Sequence, residues 1–368
     1  MTRTPRAFRF IRQSAIGGAV AAIALSAASV AGAAAPTIPA PPSSAVTVAE
    51  TGSSLLYPLW NLWQPVYSHQ YPSVTISTAS TGSGAGISQT LAGTANIGAS
   101  DAYLAPAQVQ ANKNALNIPL AISSQFIAYN VPGVKNLKLS GNVIAQIYQG
   151  SITKWNAAPI AKLNKGVTLP STPIVTVHRA DGSGDTFIFS QFMSATNSTW
   201  NTKIPIGTTI PWPTVSGALA ETGNSGMLSG CSATPGCIAY IGVSYLQKAQ
   251  AANLGEALLQ NAKGQFVLPT TATVTAAAAS FTAKTPKSGA ISMINSSAKG
   301  AYPIINYEYA IVLANQPSST TASAIRSLLT WAISPAQGSS TTFLNSVNFV
   351  PLPAKVVTQS IAQIKKIK

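Results

Sequence analysis

Along most of this chain, short β-rich runs such as Val74–Ser77, Phe126–Asn130 and Pro173–Val177 alternate with helical stretches at 86–93, 141–149 and 186–196. Such alternation predicts α/β architecture, with helices covering sheets. Length divides the pattern further. Some 330 residues follow the leader described next, too many for one hydrophobic core and natural for two lobes. The alanine- and threonine-rich stretch 271–283 reads as a surface helix.

The first 35 residues have the layout of a secretory signal: Arg3, Arg6, Arg9 and Arg12, then an apolar run from Ile16 to Val30. Cleavage is expected after Ala33 within Ala31-Gly32-Ala33-Ala34-Ala35, since Pro36 disfavours a cut directly before it. The leader holds no twin arginine and no cysteine, which argues against a lipid anchor, and no later run approaches a membrane span. A soluble protein outside the inner membrane, in the periplasm, is expected. Residues 34–44 form a proline-rich lead read as a trailing tether.

Only 8% of residues are charged, against 46% apolar. Without the leader, 18 basic residues face seven carboxylates, a balance near +11 that attracts anions. Nucleic acid is disfavoured because the sixteen lysines are scattered, with no basic run before Lys365-Lys366-Ile367-Lys368. Cys231 and Cys237 flank a Ser-Ala-Thr-Pro-Gly turn in an exported chain, so a small structural disulfide is expected. With two histidines, neither close in sequence to a cysteine, no metal site, cofactor or nucleophilic cysteine is expected.

Three segments set small hydroxyl residues and glycines before a helix: Thr51–Leu55, Thr81–Gly86 and Asp181–Thr186. Each can cradle an anion. Glycine lets the backbone approach, and the free N–H groups of a first helical turn, with the helix dipole, favour negative charge. Beyond the leader there are two arginines, and Arg179 lies four residues before Ser183. Its planar fork suits oxyanions. Asp101, Asp181 and Asp185 fall in or near the same segments. A carboxylate fits an anion site when the anion carries a proton to donate, as phosphate does near neutral pH and sulfate does not.

These residues carry a resemblance. The runs Thr51–Pro58, Ser83–Asp101, Ile147–Asn156, Ile160–Asn164, His178–Gly184, Gly223–Gly226 and Tyr302–Ile304 are similar, in order and spacing, to the periplasmic phosphate-binding protein family of the phosphate-specific (Pst) ABC transporter. The resemblance implies a two-lobed periplasmic-binding-protein fold of type II, with the ligand cleft between lobes joined by crossing strands. It divides the chain into 45–122 and 290–368 for one lobe and 123–289 for the other. Carried over, Ser54, the Leu55 backbone, Ser83, Ser183 and the Gly184 backbone donate to phosphate, Asp101 accepts its proton, and Arg179 pairs with it while held by Asp181. Leu55 stands where an aromatic residue is usual. Asp185 replaces a threonine donor, so one contact is lost, moved to Thr186, or converted to an acceptor. As an acceptor, Asp185 would favour dihydrogen phosphate and acidic conditions. The implied function is a monomeric, non-enzymatic receptor handing inorganic phosphate to the membrane permease subunits of an ABC importer. An exported phosphate-ester hydrolase and a receptor for another tetrahedral oxyanion are the alternatives.

Overall fold

The structure, a computed structural model, describes residues 36–368. The leader and its cleavage point lie outside the described residues. The strands are β1 (Val46–Gly52), β2 (Val74–Ser77), β3 (Ile97–Ser100), β4 (Ala115–Tyr129), β5 (Lys138–Leu139), β6 (Val175–Arg179), β7 (Leu219–Glu221), β8 (Cys237–Gly242), β9 (Gly255–Glu256), β10 (Leu258–Gln260), β11 (Phe266–Val267) and β12 (Ile305–Leu313). The main sheet runs β2-β1-β3-β12-β4-β8-β6-β7, with β9 beside β4, and β11-β10-β5 form a separate small sheet.

Two parallel groups, β2-β1-β3 and β8-β6-β7, flank the antiparallel pair β12-β4. β4 is fifteen residues long and almost wholly buried, as expected of an apolar run covered on both faces. Its first part pairs with β12 from Ala115 to Ser124, and its last part pairs with β8 from Gln125 to Tyr129. A single strand thus carries the chain from one parallel group to the other. Pro119 has no N–H to give the ladder, and the β4–β12 register shifts opposite it, between Glu308 and Tyr309.

Each group has its own aromatic core. Trp63 and Tyr67, from the helix Tyr57–Gln70, meet Trp331 edge-on at 6.4 and 5.4 Å. On the other side, Phe189 stacks on Tyr240 at 4.3 Å and meets Tyr148 edge-on at 4.9 Å. The expected helices are found at Ser83–Leu91, Gly141–Tyr148 and Gly184–Thr196. The alanine-rich helix, Thr271–Thr282, is less superficial than its composition suggests, because Val274, Ala277 and Ala278 are buried. The proline-rich lead forms no helix or strand from residue 36 to 44, yet it is not a free tether: Ile38 packs on the core.

A disulfide joins Cys231 at the end of the helix Gly223–Ala233 to Cys237 at the start of β8, and both are buried. Closing so short a loop contributes about 2 kcal/mol on chain-entropy grounds. Thiol labelling of the unfolded, unreduced protein should find no free cysteine, and reduction should lower the denaturation midpoint by that modest amount.

Candidate functional site

Functional side chains collect at the carboxyl ends of the parallel strands, where open α/β sheets place their ligands. β1 ends at Gly52 and leads through Ser53-Ser54-Leu55 into the helix Tyr57–Gln70. β3 ends before Asp101, β6 ends at Arg179, and β7 leads to Asn224 in the first turn of the helix Gly223–Ala233. Gly52 has φ +142°, and a Cβ there would overlap the Ala99 carbonyl, so only glycine lets β1 pass this close to β3.

The three glycine-serine segments, far apart in sequence, meet. Gly84 N–H donates to the Gly182 carbonyl at 2.8 Å, joining the second segment to the third. A Cβ on Gly184 would stand 2.5 Å from both Asp101 Oδ2 and Ser83 Oγ. The first segment joins the second where the Gly82 N–H donates to the Gly52 carbonyl at 2.7 Å, and it joins the third through Asn224, which donates to Ser54 Oγ from its N–H at 3.0 Å and from Nδ2 at 2.9 Å, and from Nδ2 to Asp185 Oδ2 at 2.7 Å. Ser53 caps its turn by accepting from the N–H groups of Leu55 and Leu56 at 3.1 and 2.9 Å. Ser183 does the same for its helix, accepting from Thr186 N–H at 3.3 Å.

Asp101, 2% exposed, accepts from the hydroxyls of Ser53 and of Ser83, the latter at 3.1 Å. Arg179, 3% exposed, is spoken for by two carboxylates. Its Nε donates to Asp181 Oδ1 at 2.6 Å, its Nη2 to Asp181 Oδ2, and its Nη1 to Asp185 Oδ2 at 2.8 Å. Burial would lower the Arg179 pKa, but these two neighbours carry it above the ordinary value. Burial would likewise raise Asp181, yet the guanidinium holds it below the carboxylate range. Asp181 therefore orients the arginine.

Asp185 does not cap its own helix. Its Oδ1 accepts from Gln125 Nε2 at 2.8 Å, and its Oδ2 from Asn224 Nδ2 at 2.7 Å as well as from Arg179. Burial and then the nearby Asp101 push it up to about 7, against the pull of Arg179. Thr186 is engaged elsewhere, its hydroxyl 2.8 Å from that of Tyr240, which also accepts from the Arg179 N–H at 3.0 Å. The carboxyl at position 185 is thus an acceptor within the protein, while the Thr186 hydroxyl is turned to Tyr240. His178 lies outside this cluster, stacked on Trp212 with ring centroids 4.7 Å apart.

Residues 37–336 match the family model described as a PBP superfamily domain. The phosphate-binding protein PstS of Pasteurella multocida is 31% identical over 325 residues, which cover 88% of this chain and 91% of that protein. The chain belongs to the Pst-type phosphate-binding protein family. Another member of the Pst-type family, PstS of Xylella fastidiosa, is 32% identical over 326 residues, covering 87% of this chain and 86% of that one. Among solved structures, the periplasmic phosphate-binding protein PfluDING, described as bound with phosphate, aligns with a TM-score of 0.66 at 20% identity, over 86% of this chain and 93% of that one. A putative phosphate ABC transporter substrate-binding protein from Clostridium perfringens aligns with a TM-score of 0.60 at 18% identity, over 84% and 100%. The fold of this Pst-type chain is accordingly the two-lobed α/β arrangement, with β4 and β12 as its crossing strands.

Four site residues escape a reading of local motifs. Asn224 sits inside one of the matching runs, but its bonds to Ser54, Asp185 and the Gly242 N–H depend on three other elements. Gln125 and Asn306 come from the crossing strands. Glu308 on β12 is fully buried beside Asp101, and its Oε1 accepts from Ser123 Oγ and from Asn306 Nδ2 at 3.0 Å. A carboxylate inside the apolar strand Ile305–Leu313 was the signal available for it.

Proposed function

We propose that this protein captures inorganic phosphate outside the inner membrane and delivers it, as a soluble monomer, to the permease subunits of an ABC importer. The observation that carries the reading is the meeting of three helix-initiating glycine-serine segments around a buried carboxyl, Asp101, and a buried arginine, Arg179. In this reading Ser54, Ser183 and the N–H groups of Leu55 and Gly184 donate to the phosphate oxygens, and Ser83 turns its hydroxyl proton from Asp101 to the ligand. Arg179 supplies charge, Asp101 accepts the ligand's proton, and Asp185 serves as a second acceptor. The lobes are residues 45–122 with 290–368, and residues 123–289. The family relationship and the names of the relatives support phosphate as the ligand. No helix among the described residues is long and apolar enough to cross a membrane.

The same reading is binding without turnover, supported by His178, which is held against Trp212 rather than beside Ser183. Titration calorimetry with phosphate and sulfate side by side tests the proposal, with phosphate binding and sulfate giving no heat as the expected result. Release of phosphate from a generic ester by the purified protein would contradict it. Asp101→Asn should erode the discrimination, because an amide can turn its NH2 towards an unprotonated oxyanion. Sulfate rejection undiminished in that variant would show that Asp101 is not the selective group.

A further inference from the structure

Glu308 has no place in the ligand contacts assigned above, yet it is buried directly behind them. The register shift opposite Pro119 falls at this residue, and bulges re-aim side chains. Asn306 and Glu308 lie two apart on β12 and therefore share a face. On that face Ser123 and Asn306 both donate to Glu308 Oε1, and Asn306 Nδ2 also reaches the Asp101 backbone carbonyl at 3.5 Å. Oε2 is buried and has no donor in the protein. The Asp101 carboxyl stands within hydrogen-bond reach of the Glu308 carboxyl. Two carboxyl groups can bond only across a proton held by one of them, and two buried carboxylates side by side repel.

We infer that Glu308 is a positioning residue for the phosphate site, a neutral carboxylic acid that donates its hydrogen bond to Asp101 and so keeps Asp101 ionised and aimed as an acceptor. The inference rests on the phosphate reading. The environment decides which member keeps the proton. Asp101 receives the hydroxyls of Ser53 and Ser83 and lies in the field of Arg179, whereas Glu308 is reached by no cation. Burial first, and Asp101 next, push Glu308 well above the carboxylate range. The other titratable groups facing the pair are Asp185 from the helix Gly184–Thr196 and the tyrosines 103 and 309. Charge balance agrees. One arginine pairs with Asp181 and Asp185, and Asp101 and Glu308 add two more buried carboxyls, so a further anion is accommodated only if some of these are neutral.

Two variants separate this role from mere packing. In Glu308→Gln an amide can donate to Asp101 in the proton's place, and phosphate affinity at pH 7 should stay within about threefold of the parent. In Glu308→Leu the donor is gone, and affinity should fall by about tenfold or more, the scale of a lost hydrogen bond to a charged group. Sulfate discrimination should weaken with it. The ratio of parent to Glu308→Gln affinities between about pH 5 and 9 cancels the ligand's own titration and that of Asp185 and the tyrosines. It should be flat in acid and turn against the parent in alkali, where Glu308 ionises beside Asp101. Difference infrared spectra at pH 7 should show a protonated-carboxyl stretch in the parent that is missing from Glu308→Gln, a readout independent of ligand and of whether Glu308→Leu folds. Parent-like affinity in Glu308→Leu, a ratio that already turns against the parent between about pH 5 and 7, or absence of that band would each overturn the inference. Failure of the parent to bind phosphate would instead overturn the functional reading, and the infrared result would still stand.

Discussion

Arg179→Ala should weaken phosphate binding by more than about 2 kcal/mol, some thirtyfold, and should also lower the stability of the protein without ligand. The guanidinium is the cation that separates Asp181 from Asp185, and both it and Asp185 are buried. Removing one partner from a buried pair leaves an uncompensated charge, at a cost of about 3–5 kcal/mol. The two losses have different origins and can be told apart. Adding Asp185→Thr to Arg179→Ala deletes the stranded carboxylate, so stability should recover in the double variant while phosphate affinity does not. Thermal unfolding of the four proteins, with phosphate titrated into each, closes the cycle. Parent-like affinity in Arg179→Ala would place the arginine outside the ligand's contacts.

Thermal stability should rise as the medium becomes acidic, opposite to the usual behaviour of proteins whose carboxylates are paired. Burial is the leading cause of an upward displacement at Glu50, to about 8, at Asp185 and Glu256, to about 7 each, and at Asp101 and Glu308. In the unfolded chain these groups titrate near pH 4. Between about pH 4 and 8 the folded protein thus holds protons that the unfolded chain has released, on Glu50, Asp185, Glu256 and Glu308 through the window and on Asp101 only at its acid end, and stability grows as pH falls. Asp181, lowered by Arg179 against its burial, and His178, lowered by burial, act in the opposite sense. Five groups outweigh two, and each unit of displacement is worth about 1.4 kcal/mol. The midpoint at pH 4.5 should exceed that at pH 8 by on the order of 10 °C. Asp185→Thr removes one of the five and should flatten the curve. A midpoint that falls steadily from pH 8 to 4.5 would show that the buried carboxyls are ionised in the folded protein.

That acid preference was partly legible in composition: a chain with seven carboxylates gains little charge in acid. What composition does not carry is where the carboxylates go. Glu50, Asp101, Asp185 and Glu308 are all buried, an arrangement that exists only once the sheet has formed.

The α/β class, the three anion-cradling segments and the Arg179–Asp181 pair are local matters. Helix starts, strand runs and contacts between residues two apart are set by neighbours along the chain, and their chemistry can be read in order. Asp185 was legible as a departure, but the partners its carboxyl takes, Gln125 from β4 and Asn224 from another helix, lie 60 and 39 residues away in sequence. Glu308 was marked only as a carboxylate inside an apolar strand. Its meaning depends on a register shift at Pro119 and on Asp101, which the antiparallel pairing of β12 with β3 and β4 brings to the same face. Strand pairing over such separations is fixed by the burial of whole faces rather than by any short motif, so the closeness of Glu308 to Asp101 appears only in the tertiary structure.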